Sequence, residues 1–104
     1  MFINLTTQTI TELTSGKVYH PSLESIRLTL KTDLVTIHNG SPIKVTKVTA
    51  IKGLPDPEKG VYYIVPSLAF EAIPAWRTDI VATGTVVRDD NGKVIGCNGF
   101  RTRV

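Results

Sequence analysis

Two histidines (His20, His38), one cysteine (Cys97) and nine scattered carboxylates are the groups in this 104-residue chain that could ligate a metal or act in catalysis. A zinc site needs closely spaced ligands such as C-x-x-C or H-x-x-x-H. Neither pattern occurs, so no metal and no cofactor are expected. His20 precedes Pro21 and His38 opens a turn, which makes both ordinary surface residues. Nucleophilic catalysis requires a Ser or Cys held against a base, and no G-x-S-x-G elbow or comparable context is present. Cys97, in IGCNGF, reads as a small half-buried thiol. Asp79 and Asp89 form an acid/base pair only if folding brings them together.

Groups suited to binding are better represented. Ser67 stands where an apolar strand pattern, YYIV, passes through Pro66 into a short helical pattern, SLAFEAI, that Pro74 stops. Its hydroxyl is placed to cap the helix, and the free amides there suit an anion. Trp76 offers a flat surface for stacking or core closure. Arg77 and Asp79 share a face if their segment is extended. Arg88, beside Asp89, can clamp a phosphate bidentately or form a surface ion pair.

The elements that must position these groups are mostly strands. Thr, Val and Ile supply 35 of the 104 residues, and β-branched side chains favour a pleated surface. INLTTQTITEL reads as two short strands or one bent one, Ser15-Gly16 as a turn, and KVYH as a further strand. In SIRLTLK, residues 25–31, Ile26, Leu28 and Leu30 alternate with Arg27, Thr29 and Lys31, so one face is wet. Thr32-Asp33 is expected to turn into LVTIH, and HNGS at 38–41 turns into PIKVTKVTAI, whose change of phase predicts a bulge near Thr46 or Lys47. GLPDPEKG is a loop, and the all-apolar VYYIV is a strand covered on both faces. Asn91-Gly92 predicts a type I′ hairpin between TGTVVR and KVIG. The expected fold is a mostly β single domain spanning 1–104, a small β-barrel or β-sandwich of seven to nine strands with one short helix plugging an end.

The net charge of +3 permits an anionic ligand without requiring one, and Arg88, Arg101 and Arg103 all fall in the last 17 positions. No basic run interleaves with aromatics, so nucleic acid is not the expected partner. A lone cysteine and an N-terminus lacking a signal-peptide pattern suggest the cytoplasm. No stretch approaches the ~20 apolar residues of a membrane span.

INLT with Ile10, GLPDPEKGVYYIVPSLAFEA, RTDIV and VVRDDNGKVIGCNGF together resemble a family of small phage and prophage proteins. The resemblance covers most of the chain and is most specific in its middle and last motifs. Members often carry Pro-His after the N-L-T, where Thr7 and Gln8 stand here. Among small phage proteins of this character are sequestering proteins that counter host defence. By that analogy the chain is expected to bind a nucleotide-derived immune signal, such as a cyclic ADP-ribose isomer, an ADP-ribose conjugate or a cyclic dinucleotide, in the host cytoplasm and without catalysis. Tyr62, Tyr63, Ser67, Trp76, Arg77, Arg88 and Arg101 would supply its phosphate and base contacts, and a homo-oligomer would wall the site between protomers. The alternatives are a virion structural or assembly accessory protein and a hydrolase of the same signal.

Overall fold

A computed structural model describes residues 1–23 and 26–103, so Ser25 of the alternating segment lies outside the described residues. Eight strands and one helix are found there: β1 (Phe2–Asn4), β2 (Ile10–Glu12), β3 (Lys17–Tyr19), β4 (Arg27–His38), β5 (Ser41–Lys52), β6 (Tyr62–Ile64), α1 (Ser67–Ala72), β7 (Ile80–Arg88) and β8 (Val94–Arg101). The fold is mostly β, as expected. Six strands, in the order β1-β6-β7-β8-β2-β3, form a barrel-like sheet, and β4 and β5 form a separate two-stranded ribbon. No helix of the described residues is long and apolar enough to cross a membrane.

The sheet mixes directions. β1 and β7 flank β6 in parallel, β8 returns antiparallel to β7, and β2 joins β8 in parallel through Glu12 and Cys97. The two outer strands then nearly meet: Asn4 bridges Pro21, and the Ser22 N–H donates to Asn4 O at 2.7 Å. Bringing the edges together removes most of the unpaired backbone that an open sheet would expose.

Asn4 is the fastening of that seam. It is 2% exposed, and its side chain uses every bonding position at hand. Nδ2 donates to Gln8 O (2.8 Å) and Tyr19 O (2.9 Å), while Oδ1 accepts from the Thr6 N–H (2.9 Å) and hydroxyl (2.6 Å). The N-L-T motif is thus a turn-building device that ties the end of β1 to β3 and to the 6–8 segment.

The buried apolar cluster holds Leu5, Val61, Tyr63, Val65, Ile80 and Ala82, and α1 adds Ala69 and Phe70, with Ile73 following it; on the other face of the sheet the rings of Phe2, Tyr19, Tyr62 and Phe100 meet. The helix ends at Ala72 because Ile73, before Pro74, is extended at φ −75° and ψ 137°. The guanidinium of Arg103 donates to Ile73 O and Pro74 O, closing off the carbonyls left free at that end.

Four local expectations are corrected. Thr32-Asp33 does not turn: β4 runs unbroken from Arg27 to His38, with Thr32 opposite Thr46 and their hydroxyls 3.0 Å apart. The bulge in β5 falls at Thr49, where the register shifts between Thr29/Ala50 and Leu30/Val48, and a second shift leaves Val35 unpaired in β4. The type I′ geometry belongs to Asn39-Gly40, whose φ values are 50° and 78°. At Asn91-Gly92 only Gly92 has positive φ. There the Gly92 N–H donates to Asp89 O and the Asp89 N–H to Lys93 O, a three-residue loop with the glycine in the left-handed position. Asp89 enforces it, because its Oδ1 accepts the N–H groups of both Asn91 and Lys93. Finally, VYYIV is not covered throughout, since Tyr62 is exposed while its neighbours are buried.

Candidate functional site

The segment between β1 and β2 runs beside β7 and builds a groove in two adjoining clefts. The larger, ≈ 550 Å³, is lined by Thr9, Thr11, Arg88, Val94 and Ile95 among others. The smaller, ≈ 320 Å³, is lined by Thr6, Thr7, Val65, Pro66 and Ser67. Gln8, Ile10 and Thr83 line both. Volumes of roughly 300–1,000 Å³ suit a small-molecule ligand. The lining is rich in hydroxyls with one amide and one guanidinium, a set that can bond sugar hydroxyls and a phosphate. Arg88 Nη1 donates to Gly92 O at 2.9 Å. That bond fixes the fork of an exposed side chain and leaves further N–H donors for an anion.

Ser67 stands at the far end of this groove from Arg88, and its role differs from the expected cap. Pro66, with φ −61° and ψ 149°, occupies the N-cap position, and no side chain caps the helix. Ser67 is therefore the first helical residue, and the Phe70 N–H is satisfied by Pro66 O.

The other five candidates lie elsewhere. Tyr63 is buried, with its hydroxyl donating to Asp56 O at 3.3 Å, and burial, assisted by Glu58 and Asp79, pushes its phenol pKa up. Arg77 is 6% exposed. Its Nε and Nη2 meet the two oxygens of Asp79 at 3.0 and 2.9 Å, and Nη2 also donates to Pro55 O. This bidentate bond raises the Arg77 pKa and holds the Asp79 carboxyl below its ordinary range, against the opposing effect of burial. The two side chains face one another across a turn rather than along an extended segment. Trp76 is 71% exposed beside this pair, with the Arg77 guanidinium 5.7 Å from its ring centre. Tyr62 packs on Phe2 and lines a third cleft with Asp79, Glu58 and Lys59. Arg101 lies over the Phe70 ring at 4.6 Å and pairs with Glu71 at 3.6 Å.

Folding thus brings Ser67 and Arg88 to one groove, while Tyr63 and Arg77 are committed to internal bonds. Gln8, Thr9, Thr11 and Thr83 were not singled out from the sequence. The threonine- and glutamine-rich run TTQTIT was the only signal for Gln8, Thr9 and Thr11, and Thr83 had none beyond its strand, since threonines in a β protein more often mark strands. Thr7 and Gln8 both line the Ser67 cleft.

Beneath the larger cleft, Cys97 is buried at 2% exposure; burial and then the nearby Glu12 raise its thiol pKa, which disfavours the thiolate. No cluster of His, Cys, Asp or Glu among the described residues could hold a metal ion. Comparison with known protein families, with curated proteins and with solved structures finds no match for this chain.

Proposed function

We propose that this protein binds and sequesters a small, anionic, nucleotide-derived molecule in the groove that runs from Ser67 to Arg88. The observation that carries this reading is the shared lining: Gln8, Ile10 and Thr83 connect the Ser67 cleft to the Arg88 cleft. Arg88 supplies a bidentate phosphate contact, and the Thr, Ser and Gln side chains supply partners for ribose and base edges. Capture alone needs no general base, and among the described residues the lining carries no carboxylate or imidazole. With the phage resemblance, the role that fits is an anti-defence protein that removes an immune signal from the host cytoplasm, as a homo-oligomer.

Incubation with cyclic ADP-ribose isomers, ADP-ribose conjugates and cyclic dinucleotides, followed by heat denaturation and chromatography, tests the reading. Intact ligand released on denaturation is the expected result. Altered ligand would mean a hydrolase, and no uptake of any candidate would overturn the reading. A second role, as a virion structural or assembly accessory, is favoured by one observation: the exposed apolar β4–β5 ribbon. Copurification with virions would support it.

A further inference from the structure

The β4–β5 ribbon gathers cations on one of its faces. Its register sets Arg27 opposite Lys52 and Lys31 opposite Lys47, with Thr29 opposite Ala50 between them. The alternation that turns Leu28 and Ile51 one way turns these four cations the other. At the root of the ribbon Leu28 and Ile51 pack against the buried cluster of the body, so the cationic face looks away from it, and all four cations are exposed. The ribbon's one carboxylate, Asp33, reaches Lys31 at 3.9 Å. Among the described residues, Arg27, Lys47 and Lys52 pair with no carboxylate. Like charges directly opposite one another destabilise a strand pair, and a two-stranded ribbon in water is marginal at best. Lysines that guard a strand edge against aggregation work singly. Opposing cations in two rungs adds repulsion instead, which an anion laid on that face would remove.

Spacing and shape select the anion. Opposed Cα atoms stand about 5 Å apart, and the two cationic rungs, four residues apart along β4, are separated by about 13 Å. That length of duplex carries about four phosphates on each strand, so each of the four long side chains has a phosphate within its span. The major groove of B-form DNA, about 12 Å wide, admits a two-stranded ribbon, whereas the deep, narrow major groove of duplex RNA does not. Single strands are held by stacking on aromatic rings, and neither β4 nor β5 contains Phe, Tyr or Trp. An anionic bilayer is held best where apolar side chains insert beside the cations, and here they lie on the opposite face. No basic run marks this surface in the sequence, because strand pairing, not adjacency in the chain, assembles it.

We propose that the cationic face of the β4–β5 ribbon is a sequence-independent docking surface for double-stranded DNA, with Arg27, Lys31, Lys47 and Lys52 on its phosphates. None of the described residues lining the Ser67–Arg88 groove belongs to β4 or β5, so this surface and the binding reading stand or fall separately. Fluorescence anisotropy with a mixed-sequence DNA duplex of about 20 bp, titrated at rising salt, tests it. Four phosphate contacts give log K a slope against log salt of about −3.6, roughly a hundred-fold loss of affinity between about 50 and about 200 mM. Lys31→Gln with Lys47→Gln should halve that slope with unchanged far-UV circular dichroism. Lys17→Gln with Lys59→Gln, an equal loss of charge on the body, should leave the slope as in the wild type. Asp33→Asn, which removes the ribbon's only carboxylate, should tighten binding, and that gain decides the matter if the lysine variant fails to fold. No binding at about 50 mM salt, equal losses of slope from the two double variants, or capture of phosphatidylserine vesicles or polyglutamate but not of the duplex would each overturn the proposal.

Discussion

The Glu12 carboxylate accepts the backbone N–H of Gly99 at 2.9 Å, joining β2 to the far end of the chain. The same carboxylate accepts the N–H groups of Thr14 (2.7 Å) and Ser15 (2.8 Å). One acidic side chain thus builds the β2–β3 turn and fixes β8 beside it. These bonds, led by Gly99 and Thr14, lower its pKa from 4.5 to about 2.

A carboxylate whose pKa falls on folding contributes its full stability above the unfolded value of 4.5 and loses it as pH drops toward about 2. Urea midpoints should therefore decline across this window in the wild type. Glu12→Gln should be less stable at neutral pH and show a shallower decline. The depressed Asp79 acts with the same sign and leaves some slope. Identical pH profiles for the two proteins would exclude the Glu12 contribution.

Arg77→Ala strands a largely buried Asp79 carboxylate and leaves Pro55 O without its donor. Breaking such a pair costs about 3 kcal/mol. Denaturant unfolding should record that loss, and ligand uptake per folded molecule should stay at the wild-type level.

Asn4→Ala removes four hydrogen bonds at the barrel seam. Leaving buried partners unsatisfied costs roughly 2–4 kcal/mol. Thermal melts should show the drop, and Asn4→Asp, which keeps the acceptor and loses both donors, should recover only part of it.

Ser67→Ala should change stability by less than about 0.5 kcal/mol, because the hydroxyl caps nothing. Arg88→Ala should weaken nucleotide capture about ten-fold or more, the worth of a charged hydrogen bond, with little change in melting temperature. Isothermal titration on both variants measures the binding side, and loss of stability without loss of capture would remove Arg88 from the site.

Much of the fold was legible because its signals are local. Pro66 and Pro74 bracket α1, Gly16 and Gly40 mark turns, and alternation in residues 26–31 reports a ribbon face. The misreadings came from features that distant partners decide. Thr32-Asp33 resembles a turn until Thr46 is known to stand opposite, and the loop at Asn91-Gly92 is set by the Asp89 carboxylate. The seam at Asn4 and the Glu12 anchor were invisible, since a polar side chain in sequence gives no sign that folding will bury it. The groove was half visible. Arg88 and Ser67 drew attention by type, whereas the threonines beside them differ in no way from strand threonines.

The order of pairing also sets a clock. Phe2 pairs with Tyr62 and Glu12 with Cys97, while β4 and β5 meet across a two-residue turn. Contacts so distant in sequence form late, since a long loop must close before they repay its entropy. The barrel cannot shut until β8 is available to pair, whereas the partners within the ribbon lie close in sequence. Until the barrel closes, the apolar side chains of the ribbon therefore have no body behind them, even at the root where Leu28 and Ile51 later pack.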